Sequence, residues 1–172
     1  LDWETEVKPI VEKYLKKAPV NVSIYDFDKD IIPEHLTKTD IESWLTTRPK
    51  TINFAIFFDD LLSINKDGLL EKDIILNNQK YKISYDEKDE IFKFISNNKI
   101  FIISKEDFKN IFYTLKNIGK LCEADLFTEI QMNSKDIFEF LLHLPYILKN
   151  DDKLILNYAK KLDKMETVYE FD

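Results

Sequence analysis

The stretch from Ile91 to Gly119 constrains the fold more than any other part of the chain. Two apolar runs, Ile91–Ile95 and Ile100–Ile103, flank the pair Asn97-Asn98 and lead at Ser104 into an amphipathic segment. β-Branched and aromatic residues suit a half-buried pleated surface, and asparagine tolerates the left-handed backbone of tight hairpins. The pattern therefore predicts two antiparallel strands joined at the asparagines. Ser104 stands where a side-chain oxygen accepts from the first helical turn, with Asp107 three residues on to reach back as a capping box. Phe108, Ile111, Phe112, Leu115 and Ile118 follow at spacings of three and four, and Gly119 stands where a helix end favours positive φ. A helix with one apolar stripe, laid on the sheet that precedes it, is the expected outcome.

The rest of the chain is read around this unit. Trp3, Val7, Ile10, Val11, Tyr14 and Leu15 have helical spacing, and Pro9, favoured at the first helical position, predicts a firm helix over 9–17. Val20, Val22 and Ile24 alternate as a short strand, and Thr39 with Glu42 reads as a capping box for a brief helix that Arg48-Pro49 closes. Ile52, Phe54, Ile56 and Phe58 alternate as a strand. Asn65 to Gly68 and Asn77-Asn78 are turn signals around further strands near 69–76 and 80–85. Such short connections impose antiparallel pairing, since a parallel neighbour needs a crossover of about a dozen residues or more. Beyond Gly119 the chain reads as helical, over 135–144 and again from the pair Asp151-Asp152 to about 164, by the apolar spacing there. The expected fold is α+β in a single domain over 1–172: a mostly antiparallel β-meander in a sheet region 50–104, with the N-terminal helix and a C-terminal helical region 105–164 packed on it.

Composition excludes several functions. A net charge of −7 and a single arginine, Arg48, leave no basic face for phosphates, so direct nucleic-acid binding is not expected. The lone Cys122 gives neither an internal disulfide nor a cysteine-rich zinc site. No apolar run approaches the ~20 residues that span a bilayer, and no basic, apolar, small-residue signal opens the chain. A cytoplasmic location without membrane contact is the expectation. Gly68 and Gly119 are the only glycines, too few for a glycine-rich phosphate loop or a serine nucleophile elbow. His35 and His143 have no metal-ligand spacing around them, and neither a metal nor a cofactor is expected.

One order of residues has the look of an enzyme. Asp26-x-Asp28 after a strand, Ser104 after a later strand, then a lysine and the pair Asp151-Asp152 resembles the motif order of the haloacid dehalogenase-like phosphatases. That resemblance implies Asp26 as nucleophile, Asp28 as acid and base, Ser104 with Lys116 or Lys120 holding phosphate, and the late acids helping to hold magnesium. The departures are Asp30 in place of the usual threonine, the missing glycine, and a parallel fold that short turns do not allow. Asp26, Asp28 and Asp30 also have the alternate spacing of a calcium loop, but Ile31 replaces its turn glycine and Thr37 its bidentate glutamate. Solvated turn acids are the plainer reading of these aspartates.

What remains is binding rather than catalysis. Acids gather at strand ends and turns, and in a meander these fall on one rim. The expected partner-binding set is Tyr25, Asp26, Asp28, Asp30, Asp59, Asp60, Tyr85, Asp86 and Glu87. Carboxylates beside aromatics suit a basic protein partner, as in inhibitor or immunity-type proteins that neutralise a nuclease toxin by filling its cationic cleft. An interaction domain of a larger assembly is the alternative.

Overall fold

The computed structural model describes residues 1–15, 36–46, 50–157 and 169–172, and the chain divides into two compact units. The expected strand at Val20–Ile24, the helix stop at Arg48-Pro49, and the site candidates Tyr25, Asp26, Asp28 and Asp30 lie outside the described residues.

In the first unit (Leu1–Thr51 and Asn157–Phe171) a π-helical turn over Trp3–Val7 runs directly into α1 (Lys8–Leu15). The α-helix thus begins one residue before Pro9, close to where the proline is expected to open it, and the residues ahead of it form a preceding π-helical turn. Val7 N–H reaches back five residues to the Asp2 carbonyl at 3.1 Å, and Lys8 N–H reaches that of Trp3. This wider turn makes room for the proline ring, which otherwise presses on the carbonyl one turn back. The Asp2 carboxylate caps the turn, accepting from the Thr5 hydroxyl at 2.7 Å and its N–H at 2.9 Å, and these bonds hold its pKa below the ordinary carboxylate value. α2 (Lys38–Thr46) is capped two residues earlier than the sequence suggests, by a reciprocal Thr37–Asp40 pair at 3.2 and 2.9 Å. Trp3, Val7, Ile10 and Val11 meet Ile41, Trp44 and Leu45 in one buried cluster. β1 (Lys50–Ile52) pairs with the strand Tyr169–Phe171.

The second unit comprises Ile52–Leu156 with Asp172. The alternation from Ile52 to Phe58 is not a strand; Phe54–Ser63 is helix α3, capped by Asn53, whose side chain accepts from Ile56 N–H at 2.9 Å. Phe54, Phe57, Phe58, Leu61 and Leu62 share the helical period, and that period continues to Leu62 where the alternation stops at Phe58. A small hairpin, β2 (Lys66–Asp67) with β3 (Leu70–Glu71), turns at Gly68, whose φ of +65° suits glycine. The strand expected near 69–76 is therefore split. Its second part, β4 (Ile74–Leu76), begins a four-stranded antiparallel sheet with β5 (Gln79–Asp86), β6 (Ile91–Ile95) and β7 (Ile100–Ser104), in the order β4-β5-β6-β7. This is the expected antiparallel meander, but four strands wide rather than the expected width of about five, because Phe54–Ser63 is helix.

The strand alternation sorts the sheet into two faces. Ile74, Leu76, Tyr81, Ile83, Phe92, Phe94, Phe101 and Ile103 are buried on one face. α4 (Lys105–Ile118) lays Phe108, Ile111, Phe112 and Leu115 in the core, with the expected Ser104–Asp107 capping box and Gly119 at φ +85°. α6 (Ser134–Leu141), preceded by a 3-10 turn at Glu123–Asp125 and the short α5 (Thr128–Gln131), adds Ile137, Phe140 and Leu141. Phe94 stacks on Phe101 at 4.7 Å and meets the edge of Phe140 at 5.1 Å, so the sheet and α6 are joined through aromatic rings.

The expected last helix is corrected where it is described. Lys153–Leu156 is a strand, β10, antiparallel to β9 (Ile147–Asn150) and to β8 (Lys120–Leu121). Asp151, at φ +56°, forms the turn of that hairpin rather than a helix cap.

Candidate functional site

The turn between β5 and β6 is the most acidic short segment of the described residues: Asp86, Glu87, Asp89 and Glu90 with Lys88. Antiparallel pairing from Asp86–Ile91 to Lys82–Ile95 carries this turn out at the end of a regular ladder. The turn also holds its own shape. Asp86 accepts from Lys88 N–H at 2.9 Å and Asp89 N–H at 3.3 Å, the local bond by which aspartate stabilises a turn, and Glu90 takes a left-handed φ of +53°. The Glu90 carbonyl accepts from Lys105 N–H at 2.8 Å, and its carboxylate lies 3.9 Å from the Lys105 ammonium.

Tyr85 stands at the base of this turn. Its ring meets Phe92 at 4.9 Å and the edge of Phe58 at 5.4 Å, while the Lys105 ammonium lies 4.8 Å over the Phe58 ring. Partial burial raises the Tyr85 pKa above its ordinary value, and the charges of Glu90, Glu87 and Asp86 raise it further. Those three carboxylates therefore act on one phenol. Beside it lies a cleft of about 130 Å³ lined in part by Leu62, Asn65, Tyr85, Glu87 and Phe92. The arrangement offers an aromatic ring and several carboxylates to a cationic group.

The structure brings together only part of the expected set. Tyr85, Asp86 and Glu87 cluster, joined by Glu90 of the same acidic turn. Asp59 is exposed on α3, one residue after the Phe58 that touches Tyr85. Asp60 has another role, accepting from the buried Tyr146 hydroxyl at 2.8 Å.

Of the residues implied by the phosphatase resemblance, those described do not converge. The Ser104 hydroxyl is taken up by the helix cap, and Lys116 lies at the far end of α4, about 18 Å along the axis at the usual rise per residue. Asp151 and Asp152 are exposed in a hairpin turn, and the sheet is antiparallel where that family is parallel.

A second polar centre was not foreseen. Asp136, 6% exposed on α6, accepts from Tyr81 Oη at 2.7 Å, Asn77 Nδ2 at 2.8 Å and Lys99 Nζ at 3.0 Å. Burial alone would raise its pKa, but the bonds from Tyr81, Asn77 and Lys99 together prevail and hold it below the ordinary carboxylate value. Tyr81 is pushed the other way, to about 12, by burial and then by its bond to Asp136. With three donors satisfied, this carboxylate joins α6 to two hairpins. The sequence signal for it is slight, since α6 carries Ser134, Lys135 and Glu139 as well as Asp136.

Among the described residues no group of three or more histidine, cysteine or acidic side chains is placed to hold a metal ion, and no helix is long and apolar enough to cross a membrane. His143 is exposed, its Nδ1 3.0 Å from the Glu139 carbonyl. Comparison with protein-family models, curated proteins and solved structures gave no match.

Proposed function

We propose that this chain is a non-catalytic protein-binding module whose β5–β6 turn engages a basic partner, in the manner of an inhibitor or immunity-type protein that occupies the cationic cleft of a nuclease-type toxin. The observation that carries this reading is the gathering of Asp86, Glu87 and Glu90 around Tyr85 on a turn that is already folded by its own hydrogen bonds. A preformed acidic turn loses little freedom on binding, and charges at the rim of an interface steer encounter with a surface of opposite sign. The chain's net charge of −7 acts in the same direction.

The test is affinity capture from the native host with the wild-type chain beside Glu87→Lys/Asp89→Lys/Glu90→Lys. Asp86 is spared because it holds the turn. A basic protein recovered by wild type is expected to bind the variant about 100-fold more weakly, a difference of roughly 2.7 kcal/mol, with unchanged circular dichroism. Equal binding by both chains would remove the acidic turn from the interface.

A further inference from the structure

The outer edge of β7 is a separate surface with its own chemistry. In an antiparallel ladder, successive residues point their backbone groups alternately toward and away from the neighbouring strand. Ser96 N–H bonds to the Lys99 carbonyl at 2.8 Å, and Lys105 N–H bonds to that of Glu90 at 2.8 Å. Those two bonds set the phase of the alternation along the whole β6–β7 register. Phe101 and Ile103 bond inward to Phe94 and Phe92, whereas Ile100 and Ile102 turn their N–H and C=O outward. Ser104 would follow them, but its N–H is taken by Asp107 at 2.9 Å. The side chains of Ile100 and Ile102 are 66% and 48% exposed on the sheet's open face.

Among the described residues, the opposite edge is protected where this one is not. On β4 only Ile75 points outward by the same alternation, the strand is three residues long, and Lys72 and Asp73 precede it. Beyond β4, the Asn65 side chain donates to the Ile83 carbonyl at 2.7 Å and covers the next edge position of β5. From Ile100 to Ile103, β7 has no charge, proline or glycine, the usual devices against edge pairing.

We propose that β7 pairs antiparallel with β7 of a second copy of this chain. A two-fold axis through Phe101 places Ile100 opposite Ile102 of the other copy, so the outward N–H and C=O of both residues are satisfied in four hydrogen bonds. The four isoleucine side chains then form one apolar strip on the open face of an eight-stranded sheet. Charge also favours the second copy. The acidic turn lies at the Ser104 end of the sheet, while Lys80 and Lys82 lie toward the Asn97-Asn98 end. Antiparallel pairing sends the two acidic turns to opposite ends and gives each end one acidic turn and one pair of lysines.

Sedimentation equilibrium tests this on the full chain, from about 1 μM to about 1 mM. Wild type is expected to dimerise, and Ile100→Lys/Ile102→Lys to weaken the dimer at least 100-fold. Ile75→Lys, on the same face at the other edge, should leave it unchanged. Ile102→Pro removes one outward donor without adding charge and is likewise expected to weaken it, which covers the case of a misfolded double variant. A wild-type chain that stays monomeric throughout would overturn the proposal, as would a dimer untouched by both β7 variants or one lost equally in Ile75→Lys.

Discussion

The two faces of the four-stranded sheet are built from the same strands and differ in almost everything else. Along β5, Tyr81 and Ile83 point to the packed face while Lys80, Lys82 and Ser84 point to the open one. The packed face is covered by α4 and α6, and the Asp136 carboxylate that α6 brings to it is held by three donors. The open face presents Lys80, Lys82 and Lys93 among Ile75, Ile95, Ile100 and Ile102. A period of two therefore separates the residues that hold this unit together from those available to another molecule.

Substitutions on the packed face should break the contrast most strongly. Phe94 is fully buried between Phe101 and Phe140, so Phe94→Ala should lower stability by about 3–5 kcal/mol in urea unfolding. Asp136→Ala follows, at about 2–4 kcal/mol, because it leaves the Asn77 amide without its acceptor and the Tyr81 hydroxyl with only the longer Gln79 contact at 3.2 Å, while Lys99 regains some water. The same carboxylate should give an acid dependence. Its folded pKa lies below its unfolded value, so its contribution is present above the ordinary 3.8 and is lost as pH falls through the depressed folded value. Asp136→Asn should accordingly flatten the acid limb of stability against pH relative to wild type. The open face supplies the smallest effect. Lys82→Glu and Lys93→Glu should each shift the urea midpoint by no more than about 0.5 kcal/mol in stability, and a larger loss would mean that this face is covered.

Local chemistry was legible in the sequence, and non-local chemistry much less so. The Ser104–Asp107 cap, the stripe of α4 and the left-handed Gly119 each depend on neighbours within a turn or two, and all three are present, except that Ile118, expected at the end of the stripe, is exposed. The two asparagine pairs show the limit of that reading. Asn77 and Asn78 adopt φ of +48° and +62°, while Asn97 and Asn98 turn the chain without positive φ. α3 was misread because Ile52, Phe54, Ile56 and Phe58 fit a period of two by coincidence, with Ile52 lying before the Asn53 cap. β10 was misread because Leu154 and Ile155 also suit a helix, and only pairing with Leu121 and Lys149, both distant in sequence or across a turn, decides for a strand. Of the candidate surface, the acids of the β5–β6 turn were visible as composition. Their arrangement around Tyr85 depends on the hairpin register and on Phe58 arriving from a helix.

The cluster at Asp136 also bears on the order of folding. Its donors Asn77, Tyr81 and Lys99 precede it by 59, 55 and 37 residues, so no local segment can assemble it. Both hairpins and α6 must be in place before the carboxylate finds its partners, and the closure of those long loops is entropically unrewarded until then. Bonds that form after the folding barrier slow unfolding without hastening folding. Asp136 is thus expected to set the lifetime of the native state more than the speed of reaching it, and Asp136→Ala should raise the unfolding arm of the chevron while leaving the folding arm in place.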